Sequence, residues 1–415
     1  MLFRFSLYGF LKNQQYYEPF LILAFREKGL SFFMIGVLIA YREVLVNAME
    51  IPSGAVADLY GRRRCMILSM LAYIASFGLF GFSDRVWHLF VAMSLFAVGE
   101  AFRTGTHKAI ILDWLAREDR LDEKTRFYGT TRAWSKAGSA VSVLIAAGLV
   151  FCTGRYSHIF YLTMAPYVLG IINLVAYPSY LDGDRSTGVS LRELVRHLWR
   201  ALGQSVRDRQ LRRLMGETIG FDGVYTVVKD YLQPILKQAA LALPILVVYE
   251  QQKRAALLVG VVYFVLHLSS GAASLQSYRV VQRFGGEERG ARNLWWLNLL
   301  LFAFLCFGIW LGWHPVMIVG FVALAVVQNL WRPIQIGRIG DRTESASTAT
   351  ILSIESQLKS GFVALAAPLL GFLVDNVAEW SPHAPALRFL PVGVLGVAAA
   401  LIVLGATRPG PRSQR

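Results

Sequence analysis

A short stretch of ionisable residues interrupts one of the long apolar runs of this chain. It reads GEAFRTGTHK from Gly99 to Lys108. At about 100° per residue, a helix would place four of its polar residues on one face: Glu100, Arg103, Thr104 and His107. An arginine fork binds carboxylate or phosphate groups, and a carboxylate or imidazole can carry a proton. The spacing therefore indicates a site for an anionic group or a proton, unless Glu100 and Arg103 form a purely structural ion pair.

Two other apolar runs carry polar faces of the same kind. One places Asp222, Tyr225 and Lys229 at i, i+3 and i+7, and the other contains Gln328, Arg332 and Gln335. The candidates for substrate contact are Arg103, His107, Arg132, Asp222, Tyr225, Lys229, Arg332 and Gln335. Burial and neighbouring charge shift the pKa of carboxylates and imidazoles, so these groups can couple to protons. The candidates for that role are Glu18, Glu100, His107 and Asp222.

Charged residues inside the apolar runs are balanced in number. Nine are basic and nine are acidic, and a charge at the centre of a bilayer costs at least about 2.5 kcal/mol. Equal numbers favour pairing. For Glu355 and Lys359, at i,i+4, a pair within one helix or a clamp between helices is favoured over substrate contact. In the first run a polar stretch from Lys12 to Glu18 precedes Pro19, whose missing N–H predicts a kink.

The composition shows what kind of element holds these residues. Of 415 residues, 55% are hydrophobic and 17% charged, whereas a soluble globular chain is about one-quarter charged. The apolar residues form runs of roughly 18 to 25, the length that an α-helix needs to cross about 30 Å of hydrocarbon. The segments of about ten alternating residues that a membrane β-barrel needs are not found. The sequence therefore predicts an all-α membrane protein.

Twelve spans are predicted, and one long polar stretch divides them six and six. They lie near 5–25, 33–53, 65–83, 87–115, 127–152, 157–178, 210–235, 255–277, 291–312, 315–337, 347–374 and 386–407. No small-residue cleavage site follows the first apolar run, so we interpret it as a retained span and not as a signal peptide. The predicted domains are residues 1–179, a cytoplasmic linker with an amphipathic helix at 180–209, and residues 210–415.

Basic residues are distributed unequally between the two sides of the predicted helices. With a cytoplasmic N-terminus, 25 of the 42 Lys and Arg fall on the cytoplasmic side, 8 on the other side and 9 within spans. This distribution satisfies the positive-inside rule and predicts that both termini and the linker are cytoplasmic. The net charge of +15 is therefore an orientation signal, and no basic stripe interleaved with aromatics indicates nucleic-acid binding.

One motif lies between the second and third spans. The chain reads GAVADLYGRRR from Gly54 to Arg64. This resembles the GxxxDxxGRR signature in the first cytoplasmic hairpin of the major facilitator superfamily, with Leu59 where the family often has a basic residue. Glycines allow a tight turn and close helix approach, and an aspartate can cap or pair at a neighbouring helix N-terminus. The resemblance implies a conformational latch formed by Gly54, Asp58, Gly61, Arg62, Arg63 and Asp113, with Asp113 paired to one of the arginines.

The resemblance also implies a secondary transporter with twelve helices in two six-helix halves. Such a protein works by alternating access around a midplane site, and spans one, four, seven and ten line its cavity. A weaker GxxxD echo from Gly371 to Asp375 is consistent with two related halves. The predicted solute is small, polar and anionic or zwitterionic, and it is moved with protons, although sodium coupling stays open. The alternative is a multidrug/proton antiporter, against which the charge density and the missing GPxxGG pattern of span five argue.

Other classes of protein find less support in the sequence. Cys65, Cys152 and Cys306 lie far apart in predicted spans, without a CxxC or Cys/His pair typical of a disulfide framework or metal site. No nucleophile or metal constellation indicates an enzyme, and no cofactor is expected. The predicted partners are a small-molecule substrate, a coupling ion and the lipid bilayer. We expect a monomer in the bacterial inner (plasma) membrane.

Overall fold

The computed structural model describes residues 1–103, 106–182, 208–242, 248–343, 345–380 and 384–406, with side chains except at 51, 55, 58, 125 and 345–349. The regular structure of these residues is entirely helical. The α-helices are α1 (Leu2–Lys12), α2 (Leu21–Glu27), α3 (Phe32–Tyr60), α4 (Arg62–Phe82), α5 (Val86–Arg103), α6 (Thr106–Arg117), α7 (Lys124–Thr153), α8 (His158–Val175), α9 (Arg209–Thr218), α10 (Val224–Val228), α11 (Leu232–Ala242), α12 (Gln251–Phe284), α13 (Glu287–Leu311), α14 (His314–Gly340), α15 (Ser345–Trp380) and α16 (Leu390–Ala406).

Ten helical stretches of the described chain are long and apolar enough to cross a bilayer. They coincide with predicted spans two to six and eight to twelve. The two other predicted spans, 5–25 and 210–235, are also helical but are interrupted, so they do not form single long helices. The predicted all-α membrane fold is confirmed, and all twelve predicted spans have a helical counterpart.

The first span is broken at the point where the sequence predicts a kink. Helix α1 ends at Lys12, and a 3-10 turn at Glu18–Phe20 leads into α2. Pro19 lies in the first turn of this new helical segment, where its missing N–H leaves no helical hydrogen bond unmade. Non-helical backbone at membrane depth is stable only when protein covers it or when it lines a wet cavity. The break therefore marks residues 13–17 as buried or cavity-lining.

The seventh span is interrupted twice. Helix α9 begins at the cap residue Asp208, whose carboxylate accepts the N–H groups of Gln210 at 2.7 Å and Leu211 at 3.1 Å. It continues into a π-helical turn at Ile219–Gly223, then α10, then a 3-10 turn at Lys229–Tyr231 before α11. The π-turn contains the buried Asp222. Such π-turns widen a helix locally and are frequent at functional sites.

The chain forms two compact units. Unit one comprises Met1–Leu30, Val37–His197 and Pro244–His267, and unit two comprises Ser31–Gly36, Leu198–Leu243 and Leu268–Arg415. The predicted linker at 180–209 lies almost wholly outside the described residues. Its amphipathic helix and the predicted domain limits therefore stay predictions.

The GxxxD echo in α15 has a packing role in unit two. The Asp375 carboxylate accepts the backbone N–H of Phe33 at 2.8 Å, which stabilises the N-terminus of α3. Arg388 lies 3.8 Å from the same carboxylate and 5.0 Å from the centre of the Phe32 ring. A Cβ at Gly371 would overlap the carbonyl oxygen of Phe32. This glycine therefore lets two backbones approach more closely than any side chain would allow.

We expect Gly371→Ala to lower the unfolding temperature of the purified protein. The added methyl group would force α15 away from Phe32, and overpacking of this kind costs about 1–3 kcal/mol. Gly361→Ala is the matched control, because it lies in the same helix and no described atom lies within 4 Å of its added Cβ. Alanine is favoured over glycine by about 1 kcal/mol in a helix, so this control should not lower stability. Equal unfolding temperatures for the two variants would contradict the close approach.

Candidate functional site

Arg103, the main binding candidate of the sequence, forms a closed polar triangle in unit one. Its guanidinium donates to one carboxylate oxygen of Glu100, and its Nε donates to the Tyr73 hydroxyl at 3.1 Å. The Tyr73 hydroxyl donates in turn to the other oxygen of Glu100 at 2.5 Å. The side chains of Arg103 and Glu100 are only 11% and 29% exposed. Most of the charge of Arg103 is therefore compensated inside the protein.

His107 packs against aromatic rings, two of which belong to α1. Its imidazole stacks on Tyr8 at 4.0 Å between ring centres, and its Nε2 lies 3.3 Å from the Tyr177 hydroxyl. The Phe5 ring contacts both His107 and Trp114, at 5.8 and 5.9 Å. These contacts show that α1 and α6 run antiparallel, since residues further along α1 meet residues further back in α6. They also hold His107 in one orientation.

In unit two the charged residues pair between helices. Asp222 accepts from Gln328 at 2.9 Å and from the Lys359 ammonium at 3.1 Å. Glu355 accepts both guanidinium nitrogens of Arg332, at 2.5 and 2.9 Å. Of the two arrangements that the sequence leaves open for Glu355 and Lys359, the structure has the clamp between helices. Because a bidentate arginine is a stronger partner than a lysine four residues away, Glu355 turns to α14.

Gln335, another candidate for substrate contact, is fully buried in a hydrogen-bonded chain. Its amide nitrogen donates to the Leu214 carbonyl at 2.8 Å and to the Thr218 hydroxyl at 3.2 Å. Its amide oxygen accepts from Arg338 at 2.7 Å. Arg338 also donates to Glu217 at 2.6 Å, and both side chains are nearly inaccessible. This pair was not among the sequence-predicted site residues, because each member alone resembles a charge at the end of a span.

The remaining candidates are placed less uniformly. Lys229 lies 3.3 Å from Asp230, its neighbour in the 3-10 turn. Tyr225 is half-buried in α10, and Glu18 is half-buried in the first turn after the break in span one. Arg132 is exposed on α7, and no described carboxylate lies within 4.0 Å of it. The structure thus brings Glu100, Arg103 and His107 together in unit one, and Asp222, Arg332 and Gln335 together in unit two.

Most of the GxxxDxxGRR motif is helical, whereas the resemblance implies a turn between two spans. Helix α3 continues to Tyr60, so Gly54 and Asp58 lie within the helix and only Gly61 makes the turn, with φ of +103°. Glycine is required there because the conformation is left-handed and an added Cβ would lie 2.9 Å from the Asp182 carboxylate. The side chain of Asp58 lies outside the described residues, so its role as a latch stays a prediction.

Asp182 is the acidic partner of this turn, and sequence reasoning missed it. Its carboxylate lies 3.7 Å from Arg63 and 3.6 Å from Arg64, and it accepts the Arg64 backbone N–H at 3.3 Å. Asp113, which the resemblance paired with an arginine of this turn, contacts Arg117 at 3.3 Å one turn further along α6. The sequence signal that could have identified Asp182 as this partner was its position as an acidic residue directly after span six.

The triangle around Arg103 predicts a non-additive mutant series. Glu100→Gln leaves a buried guanidinium without its counter-charge and should destabilise the protein by about 3–5 kcal/mol. The double variant Glu100→Gln with Arg103→Gln should recover most of that loss, which thermal unfolding of the purified variants would measure. Arg126→Gln is the control, because its ion pair with Glu123 is 71% exposed on the arginine side and exposed pairs contribute little. Simple addition of the two single effects would show that Glu100 and Arg103 do not act as a pair.

Comparisons with known proteins agree on one architecture. A family model described as Major Facilitator Superfamily matches residues 13–354. The solved structure of the nucleoside transporter NupG superposes with a TM-score of 0.76 at 11% identity, covering 99% of this chain and 98% of that one. A POT family transporter in complex with a thioalcohol-conjugated peptide superposes with a TM-score of 0.65 at 13% identity, covering 97% and 93%. At such identities these likenesses show the fold alone.

Two curated relatives are similar in sequence over a shorter region. The multidrug resistance protein MdtH of Yersinia enterocolitica serotype O:8 / biotype 1B (strain NCTC 13174 / 8081) is 25% identical over 133 residues. MdtH of Yersinia pestis (strain Pestoides F) is similar to the same extent. The match spans 32% of this chain and 32% of each relative, about a third of their length.

Proposed function

The chain belongs to the major facilitator superfamily of membrane transporters, and we propose that it moves a small polar solute, anionic or zwitterionic, together with protons. Alternating access to a site inside the membrane is typical of this family. The finer proposal rests on one observation, the different state of the intramembrane charges in the two units. In unit two they form matched pairs, such as Asp222 with Lys359 and Glu355 with Arg332.

Unit one contains cations that its described acids do not neutralise. The Glu100–Arg103 pair is matched, but no described carboxylate lies within 4.0 Å of Lys12, Lys108 or Arg132. A cation inside a span cannot face lipid without a large penalty, so it faces water or a ligand. A positive site of this kind favours a solute with a carboxylate or phosphate group, by direct contact and by raising its local concentration.

The experiment that tests the solute class is a panel of ligand-dependent thermal shifts on the purified protein, followed by uptake into proteoliposomes. Small carboxylates, phosphates and zwitterions should stabilise the protein by mass action, and at least one should be transported. Lipophilic cations should do neither, because unit one presents unpaired positive charge. Stabilisation and transport of lipophilic cations alone would contradict the proposal.

That contrary result would favour the second candidate function, a multidrug/proton antiporter. The observation in its favour is the similarity to MdtH, which is named a multidrug resistance protein. This similarity covers a third of the chain, and the paired charges of unit two leave little of the apolar lining that a drug site needs. The polar-solute function is therefore the one proposed.

For proton coupling, Asp222 is the best-supported of the four candidates. It lies in the π-turn and is held by one cation, Lys359, and one neutral amide, Gln328. A proton added to Asp222 would remove the charge that Lys359 pairs with and would loosen the clamp between the π-turn and α15. Glu100, by contrast, is tied to both Arg103 and Tyr73.

We expect Asp222→Asn to abolish proton-driven accumulation of the solute in proteoliposomes while retaining exchange of solute across the membrane. The amide keeps the shape of the carboxylate but cannot exchange a proton at neutral pH. Asp84→Asn is the matched control, because Asp84 is 78% exposed and pairs with Lys28. Unchanged uphill accumulation by Asp222→Asn would exclude Asp222 as the coupling group.

The proposal includes the orientation of the protein in the membrane, its oligomeric state and the membrane in which it lies. The distribution of basic residues supports cytoplasmic termini, and a monomer in the bacterial inner membrane is the simplest setting for such a transporter. Ser190→Cys, made in a Cys152→Ser background, should be labelled by a membrane-impermeant reagent only after the cells are opened. Labelling of intact cells would reverse the orientation.

A further inference from the structure

Lys12 is an unusual residue for its position in the fold. It lies at the end of α1, where the first span breaks, about 15 Å along the helix from its start at 1.5 Å per residue. Its side chain is half-buried, and no described carboxylate lies within 4.0 Å of it. Charged groups at such a depth are normally paired with one another. An ammonium here without a described carboxylate beside it therefore indicates a partner from outside the described residues.

The helix register shows what Lys12 lies beside. Phe5, Tyr8 and Lys12 are spaced i, i+3 and i+7, so they share one face of α1. Tyr8 on this face stacks on His107. Because α1 runs antiparallel to α5 and α6, the next turn of α1 meets the preceding turn of the partner span. Lys12 is thereby brought to the level of Arg103.

The charges at this level do not cancel. Glu100 is already neutralised by Arg103, and Tyr73 completes the hydrogen bonding of both. Lys12 is within electrostatic reach of Glu100 and Arg103, and also of Lys108, whose exposed side chain likewise has no described carboxylate within 4.0 Å. Two ammonium groups thus remain uncompensated around one closed ion pair.

We propose that Lys12 and Lys108 together bind the doubly charged end of the solute, a phosphate monoester or a dicarboxylate. Arg103 is then a positioning residue that holds Glu100, and it does not touch the ligand. This inference rests on the proposed transport of a polar anionic solute and adds to it the residues and the charge of the ligand. A dianion would satisfy both ammonium groups at once, whereas a monoanion would leave one of them unpaired at membrane depth.

The Tyr8 hydroxyl supports the same location. It is buried beside Arg103 yet makes no hydrogen bond of ordinary geometry with the described residues. Buried hydroxyls are nearly always hydrogen-bonded, so one that meets only Arg103, and that in poor geometry, is suited to turn towards a bound oxyanion. Tyr8 and Lys12 lie one turn apart on the same helix face and can therefore contact one bound group.

The test uses the full-length protein in nanodiscs and three probes: methyl phosphate, succinate and acetate, at constant ionic strength. The wild type should bind methyl phosphate and succinate more tightly than acetate. Lys12→Gln should raise the dissociation constant of both dianions at least about tenfold, in the range of a lost charge-assisted hydrogen bond. Lys12→Arg should retain most of the binding, because it keeps the charge.

Lys108→Gln separates the dianion preference from anion binding in general. It should leave acetate binding unchanged and remove the preference for methyl phosphate and succinate, and its exposed position makes misfolding no concern. Lys124→Gln is the control for net charge, because Lys124 is exposed at the start of α7. This control should bind all three probes like the wild type.

The remaining outcomes overturn the inference in distinguishable ways. If the wild type binds the dianions but Lys12→Gln and Lys108→Gln bind them equally well, the assignment of residues is wrong and the proposed function stands. If Lys12→Gln weakens dianion binding but Lys108→Gln keeps the dianion preference, Lys108 does not bind the ligand and the proposed pair of lysines is wrong. If the wild type binds no anion and transports none from the panel, both the inference and the proposed function fail.

Discussion

A charge inside the membrane is stable only beside a partner of opposite charge or in contact with water, and this requirement organises the rest of the structure. In a low-dielectric setting an isolated ion is far more costly than a hydrogen-bonded pair. The protein meets the requirement with arginines that grip carboxylates through two nitrogens, as Arg332 grips Glu355. Neutral hydroxyl groups donate further hydrogen bonds to these carboxylates: Tyr73 to Glu100 and Thr218 to Glu355, both at 2.5 Å. Helices that carry such partners are thereby held in one register.

The irregular helix segments carry charged side chains at their ends or within them. The π-turn at Ile219–Gly223 brings Asp222 against Gln328 and Lys359, and the break after Lys12 ends α1 at the level of Arg103. A regular helix would present these side chains at a fixed 100° spacing, whereas an interrupted one can aim two neighbouring residues at different partners. Elsewhere a small residue allows two helices to pack closely, as Gly371 does where it meets the backbone of Phe32. Interrupted helices and small residues are thus two ways of bringing particular groups of neighbouring helices into contact.

The sequence predicted the spans well because hydropathy depends on local composition alone. It also predicted a kink at Pro19, and the structure has a break directly before that residue, between Lys12 and Glu18. It did not predict that the motif glycine Gly54 lies inside a helix, or that Asp182 would face the arginines after Gly61. Periodicity shows which residues share a face but not which face of another helix they meet. The partners of Glu355 and Lys359 depend on which helix faces are in contact, and a single sequence does not contain that information.

The two units differ in how completely their charges are satisfied, and this difference bears on how a transporter of this family can work. A fully paired network, such as Glu217 with Arg338, is rigid, because releasing one member leaves a buried charge behind. A network with unpaired cations is suited to binding an anion. The bound anion removes the free-energy cost of the unpaired charge that the empty protein carries. Asp222, the proposed coupling group, lies between these cases, because among the described residues its ion pair is with Lys359 alone. Ligand binding in unit one and proton binding in unit two would then act on different charges, and each would change the stability of its own unit without competing for the same residue.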